Sequence, residues 1–221
     1  MPAYNRFRVQ FRRNPSGTTG YITVNEIRLH PNADGTGANL LTGATATASS
    51  YYNSSTPPEN AIDGNPSTYW ASGNTPDFTA TPPTLSFQLG SPVVAKSIAI
   101  VSSAYPNERP IAFTVQGSND GVYWEDIYTT ATWPDVNGPT IAELKAYMLA
   151  GTSLLDDGQP CRLVVISDWA TGATLTTAVP AVDGSWRRAF TTEALAFVSH
   201  LGPTGFLPVC DGPVTAVMVE Q

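Results

Sequence analysis

Apolar and polar residues alternate strictly along Arg6-Phe7-Arg8-Val9-Gln10-Phe11-Arg12, with Phe7, Val9 and Phe11 on one face. A period of two marks a half-buried β-strand and assigns the arginines to a solvated face rather than an anion site. A second strand runs through Ile22 and Val24, then Ile27 and Leu29. Its apolar phase switches at Asn25-Glu26, which predicts a bulge or a strand end there. Leu85 to Leu89, Ile98 to Val101 and Ile111 to Val115 continue the series, and Asn119-Asp120-Gly121 makes a tight turn before Val122-Tyr123-Trp124. Pro134, Gly138 and Pro139 then break the pattern, and Thr140 to Met148 reads as one short helix or a linking strand. Beyond it, Cys161 to Ile166, Thr174 to Val179, Ser185 to Phe190, Ala194 to Val198 and Val214 to Val219 are strand-like, with turns at Ala170-Thr171-Gly172 and Asp183-Gly184. These segments predict an all-β chain with domains at 1–133 and 151–221 and a linker at 134–150.

Composition sharpens this picture. Only 13% of the 221 residues are charged, and 18 Gly and 19 Pro would interrupt long helices. A net charge of −7 argues against nucleic acid and against an anionic membrane surface. No apolar run is long enough to insert in a bilayer. The opening residues lack the apolar stretch of a secretory signal, so the chain is expected to be made in the cytoplasm, or to be a processed product with an added Met. Cys161 and Cys210 match no metal spacing; buried thiols are the favoured reading and a disulfide the other.

Catalytic patterns are largely missing. There is no Gly-x-Ser-x-Gly elbow, no phosphate-cradling loop and no His-Glu-x-x-His. His30 and His200 are the only imidazoles, and both read as structural or solvent-facing. A carboxylate pair is a spatial property that sequence leaves open. Asp156-Asp157-Gly158 and Asp183-Gly184, however, have turn chemistry, so no enzyme is expected.

The informative region starts at Asn39-Leu40-Leu41 and Ala44 to Ser50 and reaches Ala61-Ile62-Asp63-Gly64-Asn65-Pro66-Ser67-Thr68-Tyr69-Trp70. Leu85 to Gly90 and Gln116-Gly117-Ser118-Asn119-Asp120-Gly121-Val122-Tyr123-Trp124 complete it. This order and spacing resembles the discoidin family, also called the coagulation-factor type C domain, and the related galactose-binding modules. The resemblance implies a galactose-binding-like jelly-roll β-sandwich. In that family the strand pair matching Arg6 to Phe11 and Tyr21 to Leu29 comes last, so residues 1–30 would supply permuted terminal strands. Trp70 and Trp124 fall on family core positions.

A carboxylate, a hydroxyl and loop carbonyls in one tight turn are the hard oxygen ligands that calcium takes. The resemblance implies a structural Ca2+ held by the side chains of Asp63, Thr68 and Glu26 with carbonyls of Asn60, Asn65 and Asn25. The other reading has Asp63 merely capping its turn and Glu26 facing water. Ligand candidates are the loop residues Tyr51, Tyr52, Asn53, Tyr105, Asn107 and Arg109, aromatic plates beside amide and guanidinium donors that suit sugar recognition. Loop aromatics also serve as lids over a core, and that alternative stays open.

Gly158 to Val164, Ala170 to Gly172 and Asp183 to Trp186 resemble the small β modules of bacteriophage tail proteins, and a small Ig-like or transthyretin-like sandwich is expected there. The combined reading is a non-catalytic phage tail or baseplate accessory protein, made in the host cytoplasm and present in multiple copies on the virion. Its partners would be other tail proteins and bacterial surface glycans. A purely structural virion protein and a carbohydrate-binding module of a secreted enzyme are the alternatives.

Overall fold

The computed structural model describes residues 2–144, 147–155, 157–190, 195–202, 209–215 and 217–218; at 147, 148, 176, 187–190, 195, 209–215 and 217–218 it describes the backbone alone. The described residues form strands joined by turns, with two short 3-10 turns and no α-helix. They divide into two compact units, Met1–Lys145 and Ala146–Gln221.

The first unit is a β-sandwich. Its strands are β1 (Tyr4–Arg13), β2 (Thr23–His30), β3 (Thr45–Ala48), β4 (Trp70–Ala71), β5 (Thr84–Val93), β6 (Ser97–Ser102), β7 (Ala112–Ser118), β8 (Glu125–Thr130) and β9 (Gly138–Glu143). One sheet has the order β3-β5-β1-β7-β8 and the other β4-β2-β6-β9. The amino-terminal strand β1 therefore lies in the middle of its sheet. Phe7 faces Phe87 on one side and Gly117 on the other, and Val9 faces Leu85 and Val115. The alternation has its expected outcome: Phe7, Val9 and Phe11 are buried while Arg6, Arg8, Gln10 and Arg12 turn outward. Phe11 meets Trp70 of the opposite sheet at 5.7 Å between ring centroids, so the two apolar faces share one core. Gly117 is required where it stands, because a Cβ there would lie 2.4 Å from the Tyr4 ring.

Two expectations need correction. The segment 134–150 is not a linker: β9 pairs with β6 from Ser97↔Glu143 to Ser102↔Gly138, and Tyr147–Thr152 is a strand of the second unit. β9 escapes a sequence reading because it is an edge strand, half-buried at best, with Gly138 and Pro139 at its start. Trp124 is not a core residue. It is half-buried, donates its indole N–H to the Gly121 carbonyl at 3.1 Å, and lies under the Arg8 guanidinium, 4.2 Å from the ring centroid. The core tryptophan at this end is Trp133, 4.9 Å edge-to-face from Phe113. Trp124→Ala is accordingly expected to cost about 1 kcal/mol, the scale of an exposed cation–π contact. Trp70→Ala, at a site with 0% exposure, should cost about 3–5 kcal/mol. Urea unfolding of both variants measures this, and a loss near 3 kcal/mol at Trp124 would return that ring to the core.

The second unit contains β10 (Tyr147–Thr152), β11 (Leu163–Asp168), β12 (Thr174–Ala178), β13 (Ser185–Phe190), β14 (Leu195–Leu201), β15 (Val209–Thr215) and β16 (Val217–Met218). They form sheets of order β13-β10-β16 and β12-β11-β14-β15. Leu149 and Trp186 from the first sheet pack with Val164, Ile166, Ala178, Ala196 and Val198 from the second. Cys161 is buried and free, and the Cys210 side chain lies outside the described residues.

Candidate functional site

Two features of the first unit bring polar and aromatic groups together. The first begins at the β2 bulge. The pairing of β2 with β6 slips between Val24 and Glu26, where the apolar phase switches in the sequence. The extra residue puts Glu26 on the face opposite Ile27 and Leu29, beside Arg28 and against the Asp63-Gly64 loop, where its side chain has 0% exposure. Glu26 does not face water. Neither of its carboxylate oxygens has a hydrogen-bond partner, and the nearest cation, Arg28 Nε, is 3.6 Å from Oε2 and partly solvated. Burial pushes the Glu26 carboxyl above the usual glutamate value and the neighbouring Asp63 pushes it the same way, while the Gly64 N–H, close by but without hydrogen-bond geometry, and Arg28 act in opposition. A buried carboxylate this poorly compensated is costly unless a cation reaches it.

The loop facing Glu26 is built by short-range bonds. Asp63 accepts the Asn65 N–H at 2.8 Å and the Thr68 hydroxyl at 2.7 Å, and that hydroxyl also lies 2.8 Å from the Asn65 carbonyl. Asp63 thus does cap its turn, as one reading has it. Gly64, at φ +78°, permits the reversal. Asn25 ties β2 to the loop by donating to the Pro66 carbonyl at 2.6 Å, which leaves its own side-chain oxygen buried and unpartnered. Asn60 donates to the carbonyls of Ser55 and Tyr69 at 3.1 and 3.0 Å. The donor chemistry fits a hard cation: orphaned carboxylate and amide oxygens beside a second carboxylate, a hydroxyl and carbonyls. Among the described residues no three His, Cys, Asp or Glu side chains cluster as a metal site, so the remaining ligands would have to be carbonyl and hydroxyl oxygens.

The second feature is an open cleft of about 250 Å³ lined by Tyr21, Tyr52, Tyr69, Ala71, Tyr105 and Glu108. Strand pairing assembles it. Tyr21 leads into β2 and Tyr69 into β4, and these strands pair through Val24↔Trp70. The Tyr52 N–H donates to the Ala71 carbonyl at 2.9 Å, holding the 51–53 loop against β4. Tyr105 and Glu108 sit on the 3-10 turn Pro106–Glu108 and its cap, closed by the Glu108 N–H on the Tyr105 carbonyl at 3.1 Å. The rings stand in two edge-to-face pairs, Tyr21 with Tyr52 and Tyr69 with Tyr105, each at 5.6 Å. The Glu108 carboxylate accepts the Thr23 hydroxyl. Hydrogen bonding with Tyr105 pushes the Tyr69 hydroxyl above the ordinary tyrosine value, with burial, Tyr105, Glu108 and Tyr52 adding to it.

Of the ligand candidates, Tyr52 and Tyr105 line this cleft. Tyr51 is exposed without lining it, and Asn53 is engaged in its own turn, accepting the Ser55 N–H at 2.8 Å. Asn107 is exposed on the 3-10 turn, and its carbonyl accepts the Ser16 hydroxyl at 3.5 Å. Arg109 is a structural clamp rather than a free donor: it bonds the Ser103 carbonyl at 2.8 Å and Asp135 at 3.2 Å, with 12% side-chain exposure. Tyr21, Tyr69 and Glu108 were missed. Period two offers a signal for Tyr69, since a residue next to core Trp70 must point away from the core. Nothing local marks Tyr21 or Glu108.

Residues 45–150 match the family model of the F5/8 type C domain, which supports the discoidin reading of the first unit. Domains of that class are non-catalytic modules that bind carbohydrates or other proteins. No curated protein matches the chain. Among solved structures the chain is similar to BcpA, the major pilin subunit of Bacillus cereus, at 11% identity and a TM-score of 0.26. That alignment covers 97% of this chain and 56% of the pilin, so the chain spans little more than half of the pilin's length.

Proposed function

We propose that the first unit is a non-catalytic glycan-binding module whose ligand enters the tyrosine cleft. The observation that carries this is the pair of edge-to-face tyrosine couples that line, together with Glu108, one open cleft of about 250 Å³. Aromatic plates stack on the apolar face of a sugar ring while hydroxyls and a carboxylate bond its rim. Tyr105, 48% exposed, can be removed without opening the core. Tyr105→Ala is expected to leave the melting temperature within about 2 °C of the parent, as surface substitutions do. It should weaken glycan binding by about tenfold, the loss of one good aromatic contact. A glycan array followed by calorimetry on the full chain tests this. Retained affinity in Tyr105→Ala and Tyr52→Ala would move the ligand site elsewhere.

A calcium ion is part of the same reading. Glu26, Asp63 and Thr68, with carbonyls of Asn25, Asn60 and Asn65, would hold it, and it would neutralise Glu26 and clamp the loop. Asn60 bonds the Tyr69 carbonyl, so the clamped loop would also hold one wall of the cleft. We read β1 and β2 as the terminal strands of the family order moved to the front. In support, the family match begins at residue 45, after both strands. For the whole chain we retain a bacteriophage tail or baseplate accessory protein that attaches virions to host surface glycans. The support is the turn chemistry of Gly158 to Val164, Ala170 to Gly172 and Asp183 to Trp186. Immunogold labelling of phage particles with antibody to the chain tests this, and unlabelled particles would count against it.

A further inference from the structure

The cleft is electrostatically one-sided. Its lining carries four tyrosines and the Glu108 carboxylate and contains no Lys, Arg or His. The one guanidinium close in sequence, Arg109, is held by Asp135 and the Ser103 carbonyl. Tyrosine rings present negative π-faces that attract a cation, more strongly as water is excluded. A carboxylate adds full charge, and an ionised carboxylate has several lone-pair sites, so the bond from Thr23 leaves Glu108 able to accept more. An anionic sugar placed here would meet Glu108 with no counter-charge. A neutral sugar would use the rings and bond the carboxylate through its hydroxyls, but would bring Glu108 no counter-charge.

The geometry points to an aromatic cage that takes an ammonium group, so that the ligand of the proposed glycan site is a sugar bearing a free, protonated amine. The amine would sit among Tyr52, Tyr69 and Tyr105, with Glu108 as its counter-ion. This rests on the glycan reading above and narrows its ligand class to amino sugars without an N-acetyl group, because acylation removes the charge.

The test is calorimetric titration of the full chain with glucosamine, N-acetylglucosamine, glucose and choline, at a pH below the glucosamine amine's pKa. Glucosamine is expected to bind about tenfold more tightly than glucose or N-acetylglucosamine, in keeping with a partly desolvated cation–π contact plus a counter-ion. Glu108→Gln, which keeps an acceptor for Thr23, should bring glucosamine down to the level of glucose. Tyr105→Phe, which keeps the ring, should bind glucosamine within about threefold of the parent. Unshifted melting curves for both variants show that they are folded. Equal binding of glucosamine, N-acetylglucosamine and glucose, unmoved by Glu108→Gln, overturns the cage while the glycan reading stands. Choline binding without any sugar binding upholds the cage and overturns the glycan reading. Binding of none of the four probes overturns the cage, and the array then decides the glycan reading by itself.

Discussion

A chain beginning at Asn39 is expected to lose the cooperative unfolding transition of the first unit and to aggregate. The deletion takes away β1, the middle strand of a five-stranded sheet, and β2 from the sheet that packs on it. Tyr4, Phe7, Val9 and Phe11 are each at most 2% exposed, and a buried side chain of this kind contributes roughly 1.5–3 kcal/mol. Four of them together rival the whole stability of an ordinary domain, about 5–15 kcal/mol. The backbone suffers as well. Without β1, the inner edges of β5 and β7 lose their hydrogen-bond partners, and unpaired edges template aggregation. Calorimetry and size-exclusion chromatography of the truncated chain read the outcome. A soluble fragment whose first unit still melts cooperatively would show that β1 and β2 are an added arm and not part of the sandwich.

Chelator should lower the melting temperature of the first unit by roughly 5–10 °C relative to saturating calcium. A ligand present at a hundredfold excess over its Kd and bound only by the folded state adds about 2.7 kcal/mol, and each kcal/mol moves the midpoint by about 2–4 °C in a domain of this size. Asp63→Ala should erase the calcium response. Glu26→Gln should erase it too, but with opposite effect in chelator: the calcium-free protein becomes more stable, because a buried uncompensated carboxylate has gone. The pH dependence carries the same signature. Glu26 holds its proton more tightly folded than unfolded, since burial and Asp63 raise it. In chelator its contribution is therefore fully present below the ordinary glutamate value and is lost as pH rises through the raised folded value. With calcium the trend reverses, because the cation binds the ionised form and acid expels it. Superimposable melting curves with calcium and with chelator would rule out the cation.

Much of the fold was legible because its code is local. Phe7, Val9 and Phe11 alternate with polar residues, and solvation of alternate side chains decides a strand's inner face whatever its partners are. The phase switch at Asn25-Glu26 announced the β2 bulge for the same reason: one extra residue inverts the facing of everything after it. The turn at Asp63-Gly64 followed from glycine's tolerance of positive φ. β9 does not stand out in the sequence because an edge strand buries too little to leave a periodic trace.

The strand alternation, the bulge and the Asp-Gly turns were determined by the sequence itself, through interactions between residues a few positions apart. What only the tertiary structure decided is which side chains meet. Glu26 became a buried acid beside Asp63, 37 positions further on, only because β2 crosses that loop. Trp124 lies outside the core and Trp133 inside it because Arg8, on the middle strand, covers the one while Phe113 receives the other. The cleft joins Tyr21, Tyr52, Tyr69 and Tyr105 from three inter-strand connections that no periodicity links. Their meeting depends on the order in which strands pair, and that order is chosen by how much apolar surface the whole sandwich buries, a quantity no local window contains.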